Sequence, residues 1–239
     1  MSRYIGIVPL RSGSKGIPNK NIKDFLGKPL FWWVCNALQK SHYIEEFHVL
    51  LDSMNYADAF VSFYFSKGRI HWRSIETATD EATTESAVMD WIHKGVFKRE
   101  PEDHIVLVQA TSPWVNSFFV DGAISQYVEE TDCKSLLSVS QSERFFWTYK
   151  SRIEQVGVPV NYDPIKRERR QNFHNGLFVE NGGIYINSIQ NYIDNKCRLT
   201  PPVSLYITPP YTSYEIDEKE DWNILETLLQ EKGYATNQS

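Results

Sequence analysis

Four basic side chains lie within one short segment near the beginning of the sequence. Residues 9–23 read PLRSGSKGIPNKNIK and contain Arg11, Lys15, Lys20 and Lys23 but no acidic residue. Two glycines leave backbone N–H groups accessible beside these cations, and a triphosphate, with roughly four negative charges, would match such a loop. The spacing of the glycines fits neither the P-loop nor the dinucleotide-binding motif. A solvated basic loop without a ligand is the alternative interpretation.

Two carboxylates near the end of the sequence have a spacing that suits a metal ion. In YEIDEKEDW (214–222), Glu215 and Asp217 are two residues apart, so an extended backbone would place both side chains on one face. Mg²⁺ binds carboxylate oxygens together with substrate phosphates and would offset the repulsion between the two acids. In the alternative interpretation, Asp217 and Glu220 form a variant of the capping box at the start of the next helix.

Other reactive side chains form no defined catalytic pattern. The segment 167–176, RERRQNFHNG, carries three arginines, which suit a carboxylate or a phosphate but are equally typical of an exposed basic patch. Cys35, Cys133 and Cys197 have the spacing of neither a disulfide framework nor a zinc site, so we expect reduced thiols. No Ser/His/Asp or Cys/His arrangement is evident, and Ser112 precedes a proline as turn residues do.

Length and charge exclude several classes of protein. A chain of 239 residues predicts one hydrophobic core with room for an added lobe. The net charge of −5 and the pI near 5.7 argue against broad nucleic-acid binding, which needs a basic face. The first residues lack the apolar core of a signal peptide, and no apolar run is long enough to span a membrane. We therefore expect a cytoplasmic protein.

The elements that would position these residues alternate between strand and helix. Buried strands are predicted at 3–10, 46–53, 104–113 and 134–142, and helices at 28–41, 55–68 (ended by Gly68), 83–96 (with Thr84 as N-cap) and 116–130. This succession predicts an α/β fold with a mostly parallel sheet and helices on both faces. The basic segment follows the first strand, so it lies at the carboxyl edge of the sheet, where ligands of such folds bind.

The alternation stops at about residue 143. Residues 143–180 combine aromatic and basic side chains without a clean period, which favours an excursion from the sheet, such as an arm or a dimerisation lobe, over a solvated loop. Strands at 183–187 and 203–208 and an amphipathic helix at 218–233 then complete the predicted fold.

Four motifs, taken in order, resemble the CMP-sialic acid synthetases (acylneuraminate cytidylyltransferases). VPLRSGSKGIPNKNIK is similar to the family signature I-P-A-R-G-G-S-K-G-I-P-x-K-N. LVQATSP, RRQNFHNGLFVENGGIYI and YEIDEKEDW resemble its later segments L-x-P-T-S-P, R-Q-D…N-G-A-I-Y-I and D-I-D-x-x-x-D-W/F. The resemblance runs from residue 4 to about residue 230. The related Kdo cytidylyltransferases have a different glycine loop, which fits this sequence less well.

The resemblance implies an activity, a fold and a set of site residues. It implies a Rossmann-like nucleotidyltransferase fold in one domain of residues 1–239, and a homodimer in which residues 143–180 reach the active site of the other subunit. It implies that the anomeric hydroxyl of a nonulosonic acid attacks the α-phosphorus of CTP, with Mg²⁺ as cofactor and pyrophosphate as leaving group. The implied CTP-binding residues are Pro9, Leu10, Arg11, Lys15, Lys20, Asn21, Arg73 and Thr84; the sugar-binding residues are Gln109, Arg170 (from the other subunit) and Tyr185; the metal ligands are Glu215 and Asp217; and the catalytic residues are Lys15, Arg11 and Asp217.

Several positions depart from the family's motifs, in the basic loop, at the strand end, in the segment after Arg170 and in the metal pair. The departures are Leu10, Ser12, Ala110, Trp114, Val115, Asn172 and Glu215. The nucleotide half of the site is therefore better supported than the sugar half. Two alternatives stay open: the same reaction on a relative such as legionaminic or pseudaminic acid, and a homologue that binds CTP or a sugar nucleotide without turnover.

Overall fold

The strands and helices of the chain alternate as the sequence predicts. The computed structural model describes residues 2–14, 16–79, 81–95, 100–151, 156–169 and 176–234. In chain order the strands are β1 (Tyr4–Leu10), β2 (Asp24–Phe25), β3 (Lys28–Pro29), β4 (Ile44–Leu51), β5 (Gly68–Trp72), β6 (His104–Val108), β7 (Ser135–Ser142), β8 (Trp147–Tyr149), β9 (Gly157–Pro159), β10 (Leu177–Ser188) and β11 (Val203–Thr208). The helices are α1 (Leu30–Lys40), α2 (Met54–Val61), α3 (Thr84–Lys94), α4 (Ser117–Glu129), α5 (Ile189–Asn195) and α6 (Lys219–Glu231).

Seven strands form one sheet in the order β11-β7-β10-β6-β1-β4-β5. All neighbouring pairs are parallel except those of β10, which runs antiparallel to both β6 and β7. The prediction of a mostly parallel α/β sheet is confirmed. The reversal of β10 is a feature that the sequence pattern did not indicate.

Apolar side chains cover both faces of the sheet. On β1, Ile5 and Ile7 join one buried cluster with residues of α3 and α5, whereas Val8 and Leu10 join a larger cluster on the opposite face with α1, α4 and α6. A strand buried on both sides must be apolar throughout, which is why the segment before the basic loop reads YIGIV. Among the described residues, no helix is long and apolar enough to cross a membrane.

Two predicted helix boundaries are wrong. Helix α2 ends at Val61, and Gly68 begins β5 instead of ending the helix. A Cβ on Gly68 would lie 2.7 Å from the Phe60 ring and 3.0 Å from the Phe47 ring, so the glycine is required for close packing of aromatic rings. At α3 the N-cap is Thr83, not Thr84, and its hydroxyl accepts a hydrogen bond from the Ser86 N–H at 3.1 Å.

The segment after β7 leaves the central sheet, as predicted, but it returns earlier than expected. Strands β8 and β9 form a separate antiparallel hairpin, and Trp147 and Tyr149 on β8 are 54% and 65% exposed. Asn161 ties the base of this excursion together: its Oδ1 accepts from the Phe146 N–H and its Nδ2 donates to the Arg144 carbonyl. The central sheet resumes at Leu177, which already pairs with β7, so the last residues of the predicted range 143–180 belong to the sheet.

Candidate active site

A cavity of about 310 Å³ lies beyond the carboxyl ends of β1, β5 and β6. The side chains that line it come from segments far apart in the sequence: Pro9, Arg11, Ser14, Lys20, Asn21, Arg73, Ala82, Thr84, Gln109, Ala110, Thr111, Glu215 and Asp217. The fold therefore brings most of the predicted site residues into one cavity. Its position agrees with the general location of ligand sites in open α/β sheets.

Two predicted site residues lie outside the cavity lining, and two lie outside the described residues. The side chain of Leu10 is fully buried in the core and does not line the cavity. Tyr185 is also buried outside the cavity lining, and its hydroxyl donates to Glu180 Oε1 at 2.6 Å. Lys15 and Arg170 lie outside the described residues.

Side chains hold the basic loop in place. The Ser12 N–H donates to Asp52 Oδ1 at 3.0 Å, the Asn21 side-chain amide donates to the Arg11 carbonyl at 3.1 Å, and Arg11 Nη1 donates to the Thr79 carbonyl at 3.0 Å. Asp52 follows β4 and was missed by the sequence analysis. The available signal was an acid directly after a buried strand that neighbours β1.

The basic loop packs directly against the segment that carries the two carboxylates. Lys20 Nζ donates to the Ile216 carbonyl at 2.6 Å and to Asp217 Oδ1 at 3.2 Å. A Cβ on Gly16 would overlap the carbonyl oxygen of Asp217, so a glycine is needed at this close approach. The basic loop and the carboxylates, about 200 residues apart in sequence, therefore form one wall of the cavity.

Two arginines favour the binding of an anion in the cavity. Arg73 is largely buried, and its Nε has no hydrogen-bond partner among the described residues. Burial lowers the pKa of Arg73, the charge of Arg11 lowers it further, and Asp52 opposes both effects. A phosphate oxygen would supply the missing acceptor and offset the repulsion between the two guanidinium groups.

Glu215 and Asp217 have the electrostatics of a cation site. Burial raises the pKa of Glu215 to about 6, and the neighbouring charges of Asp217 and Glu180 contribute to the rise. No group of three or more His, Cys, Asp or Glu side chains in the described part of the chain could hold a metal on its own. The pair therefore fits Mg²⁺ that takes its other ligands from substrate phosphate and water.

Asp221 has a structural role next to this pair. Its Oδ2 accepts hydrogen bonds from the backbone N–H groups of Asp217 and Glu218 at 3.1 and 2.8 Å, and it forms a capping box with the side chain of Glu218. The predicted capping-box variant of Asp217 and Glu220 is therefore wrong by one residue. Since the cap is made by Asp221, the carboxylate of Asp217 stays available to the cavity.

Glu215→Gln is expected to stabilise the metal-free protein at pH 8. A rise in the pKa of a carboxyl from its ordinary 4.5 to about 6 means that its charged form costs roughly 2 kcal/mol in the folded state. That cost is fully present above pH 6, shrinks between pH 6 and 4.5 and is absent below 4.5, because the carboxyl is then protonated in both states. Urea unfolding in EDTA at pH 8 and pH 4 measures the difference, with the exposed Glu220→Gln as a control. Equal stability of wild type and Glu215→Gln at pH 8 would contradict this account.

A bulge in β10 places Glu180 and Gly182 beside Glu215. The pairing of β10 with β7 shifts register between Glu180 and Tyr185. The buried side chain of Asn181 holds this bulge: its Nδ2 donates to the hydroxyls of Thr208 and Thr212, and its Oδ1 accepts from the Ser138 hydroxyl at 2.7 Å. Bulges next to active sites commonly redirect side chains in this way.

Ser112 belongs to the structural framework around that bulge. It is fully buried, and its Oγ donates to the Asn181 carbonyl at 3.4 Å. This is consistent with the predicted turn role, and the hydroxyl is enclosed by protein.

Gly182→Ala is expected to displace Glu215 and to lower both stability and turnover. Gly182 has a φ of +62°, and a Cβ there would overlap the Glu215 carboxylate. The left-handed backbone alone costs an L-residue about 1–2 kcal/mol. Gly27→Ala is the matched control, since Gly27 has a φ of +84° with nothing within 4 Å of its Cβ position. Thermal unfolding should show a loss for both variants, whereas pyrophosphate release should fall only for Gly182→Ala. Similar turnover in the two variants would rule out the contact with Glu215.

An arginine that the sequence analysis did not single out completes the polar network. Arg198 Nη1 donates to Gln109 Oε1 at 3.0 Å, and Gln109 Nε2 in turn donates to Glu215 Oε2 at 3.2 Å. Arg198 lies in the loop between α5 and β11, outside every recognised motif, so no sequence signal marks it. Its contacts connect the acidic wall of the cavity to the buried Tyr185.

Comparison with known proteins identifies the family. The family model described as cytidylyltransferase matches residues 5–238. The chain belongs to the cytidylyltransferase family. This confirms the family resemblance inferred from the four motifs.

Curated relatives include proteins named for sialic and legionaminic acid. N-acylneuraminate cytidylyltransferase A of Danio rerio is 29% identical over 238 residues, which are 98% of this chain and 52% of that protein. N-acylneuraminate cytidylyltransferase of Oncorhynchus mykiss is 30% identical over 97% of this chain and 52% of its own length. The chain thus spans about half the length of these two relatives. CMP-N,N'-diacetyllegionaminic acid synthase of Legionella pneumophila is 29% identical over 95% of this chain and 97% of its own length.

Solved structures share the fold at low sequence identity. CMP:2-keto-3-deoxy-manno-octonic acid synthetase complexed with CTP has a TM-score of 0.68 and 17% identity, over 97% of this chain and all of the other. The 4-diphosphocytidyl-2C-methyl-D-erythritol synthase of Anaerococcus prevotii has a TM-score of 0.67 and 10% identity, over 96% of this chain and 99% of the other. These similarities confirm the Rossmann-like nucleotidyltransferase fold.

Proposed function

We propose that the protein transfers CMP from CTP to the anomeric hydroxyl of a nonulosonic acid and releases pyrophosphate. The observation that carries the proposal is one cavity in which Arg73 Nε, near the charge of Arg11, lacks an acceptor among the described residues, while Glu215 and Asp217 place two carboxylates together. A triphosphate with its divalent ion suits both features. Family membership and the relatives named for CMP-sugar synthesis support the same reaction.

The mechanism that follows is a direct substitution at phosphorus. The hydroxyl oxygen of the sugar acid forms a bond to the α-phosphorus, the bond from that phosphorus to the bridging oxygen of pyrophosphate breaks, and the hydroxyl proton is lost to solvent. Arg11 and Lys15 would stabilise the charge that develops on the transferred and leaving phosphates, so catalysis is mainly positioning and electrostatics. No side chain needs to form a covalent bond.

The remaining residues of the cavity have supporting roles in this proposal. Pro9 and Leu10 would offer backbone groups to the cytosine, and Lys20, Asn21, Arg73 and Thr84 would hold the rest of CTP. Mg²⁺ held by Glu215 and Asp217 would neutralise phosphate charge. Gln109 and Tyr185, with Arg170 from a second subunit, would face the sugar acid.

The identity of the sugar acid has one further indication. One relative, from Legionella pneumophila, is named for legionaminic acid and is 29% identical, as is the sialic acid enzyme A of Danio rerio. Legionaminic acid is therefore a second candidate substrate beside sialic acid.

Pyrophosphate release with CTP and Mg²⁺ tests the proposal. The panel is N-acetylneuraminic, legionaminic, pseudaminic and Kdo acids, with EDTA and UTP as controls. Release with one nonulosonic acid supports the reaction and names the substrate. CTP binding without release across the panel would favour a non-catalytic CTP-binding homologue instead.

We also propose that the segment between β7 and β10, residues 143–176, acts as a dimerisation arm in a cytoplasmic homodimer. Exposed Trp147 and Tyr149 on the β8–β9 hairpin provide an apolar surface that a second copy could cover. Light scattering on the wild type and on a Trp147→Arg, Tyr149→Arg variant measures the oligomeric state. A wild-type monomer at micromolar concentration would contradict this part of the proposal.

A further inference from the structure

Three contacts hold the guanidinium of Arg198 in one orientation next to Gln109, a residue that lines the cavity. Its Nε donates to Glu85 Oε1 at 2.5 Å, its Nη1 donates to Gln109 Oε1 at 3.0 Å, and its central carbon lies 4.9 Å from the centroid of the Tyr185 ring. Because an arginine only donates, it must face the oxygen of the Gln109 amide, which leaves the amide nitrogen to face the Glu215 carboxylate. The group is therefore pre-organised.

Arg198 keeps hydrogen-bond donors that these contacts do not use. A guanidinium has five N–H groups, and Nη2 makes no hydrogen bond to any described residue, while the side chain is 19% exposed. Burial disfavours a charge on Glu85, yet the bond from Arg198 keeps the pKa of that carboxyl below its usual value, so the pair is ionised. A fixed, charged and partly unsatisfied guanidinium is suited to a planar anion.

The surroundings of Arg198 would otherwise repel an acidic substrate. The Glu180 carboxylate accepts a hydrogen bond from the Tyr185 hydroxyl, and the Glu215 carboxylate accepts one from the Gln109 amide. A substrate carboxylate that enters beside Gln109 and Tyr185 thus approaches two protein carboxylates. Arg198 contacts both Gln109 and Tyr185, and its charge and that of Lys20 both act on Glu215.

We propose that Arg198 binds the carboxylate of the sugar acid and makes the site select acids over uncharged analogues. The inference rests on the proposed function. It places the cation that recognises the substrate carboxylate on the same subunit as Gln109 and Tyr185.

A comparison of an acid with its ester tests the role directly. N-acetylneuraminic acid, or the panel member used best, and its methyl ester are compared in wild type and Arg198→Met, by calorimetric Kd without CTP and by KM in pyrophosphate release. We expect wild type to prefer the acid by on the order of ten- to hundred-fold. Arg198→Met should lose that preference, with the ester and the KM for CTP changed little. Equal weakening of acid and ester, or a retained preference, would overturn the assignment.

Two further variants separate recognition from packing. Arg198→Lys keeps the charge but loses the two-pronged guanidinium, so it should retain part of the preference for the acid over the ester. It replaces Arg198→Met in the comparison if thermal unfolding shows that Arg198→Met is poorly folded. Glu85→Gln keeps an acceptor for Arg198 but removes its counter-charge, so acid binding should strengthen by a few-fold while ester binding stays unchanged. Weaker acid binding in Glu85→Gln would contradict the electrostatic role.

The same experiment distinguishes failure of the inference from failure of the proposed function. If wild type binds the acid but releases no pyrophosphate, the proposed reaction is wrong and the Kd comparison still decides the role of Arg198. If wild type releases pyrophosphate and Arg198→Met keeps the acid preference, the reaction stands and the assignment to Arg198 is wrong. If no acid binds and none supports pyrophosphate release, both are wrong.

Discussion

Asp217→Ala is expected to lower the rate of pyrophosphate release by on the order of a hundred-fold or more. The side chain of Asp217 is 73% exposed at the cavity, so its removal should cost little folding stability. What is lost is one of the two carboxylates that fit a metal ion, together with one of the two acceptors of Lys20 Nζ. Initial rates at saturating CTP and Mg²⁺, with thermal unfolding beside them, measure the effect.

Glu220→Ala is the matched control for this prediction. It removes one exposed carboxylate from the same segment at a position outside the cavity lining. Turnover of Asp217→Ala within a few-fold of Glu220→Ala would exclude a catalytic role for Asp217. A loss of similar size is expected for Lys15→Ala, where the role follows from the family motif alone.

Asn181→Ala is expected to destabilise the protein by about 3 kcal/mol or more. The fully buried Asn181 amide forms hydrogen bonds with the hydroxyls of Ser138, Thr208 and Thr212. Its removal breaks these three bonds and leaves a small cavity, although the hydroxyls keep their other hydrogen-bond partners. The bulge that carries Gly182 beside Glu215 would also lose its support, so turnover should fall in the molecules that still fold. Urea unfolding at pH 7 gives the change in free energy.

The exposed Asn223→Ala provides the comparison for Asn181→Ala. Surface substitutions of this kind change stability by about 0.5 kcal/mol or less. A difference between the two variants below about 1 kcal/mol would mean that the buried network contributes much less than a satisfied polar cluster usually does.

Local sequence patterns were enough to predict most elements and most of the cavity. Apolar runs buried on both sides identified β1, β4 and β6, and the periodicity of apolar residues identified α1 and α4. Because the carboxyl ends of parallel strands lie at the same edge of the sheet, the loop after β1 and the segment after β6 could be expected to lie close together. The motif resemblance added Arg73 and Thr84, and these line the same cavity as the two carboxylates predicted from their spacing.

Features that depend on partners far along the chain escaped prediction. Gly68 looked like a helix end, but the aromatic rings that pack on it come from other elements. Asp52 is an ordinary acid in the sequence and becomes important because the Ser12 N–H lies 3.0 Å from it. Arg198 has no motif around it, and its role follows from Glu85 and Gln109, which are 113 and 89 residues away.

The sequence by itself determined the α/β alternation, the basic loop, the carboxylate pair and the family. These depend on period, charge and spacing within short segments, which a linear pattern records. Only the tertiary structure decided that β10 runs antiparallel, that a bulge brings Gly182 against Glu215, and that Arg198 reaches Gln109. The direction of a strand and the contacts of a buried side chain are set by neighbours that fold against them, and no local pattern records those neighbours.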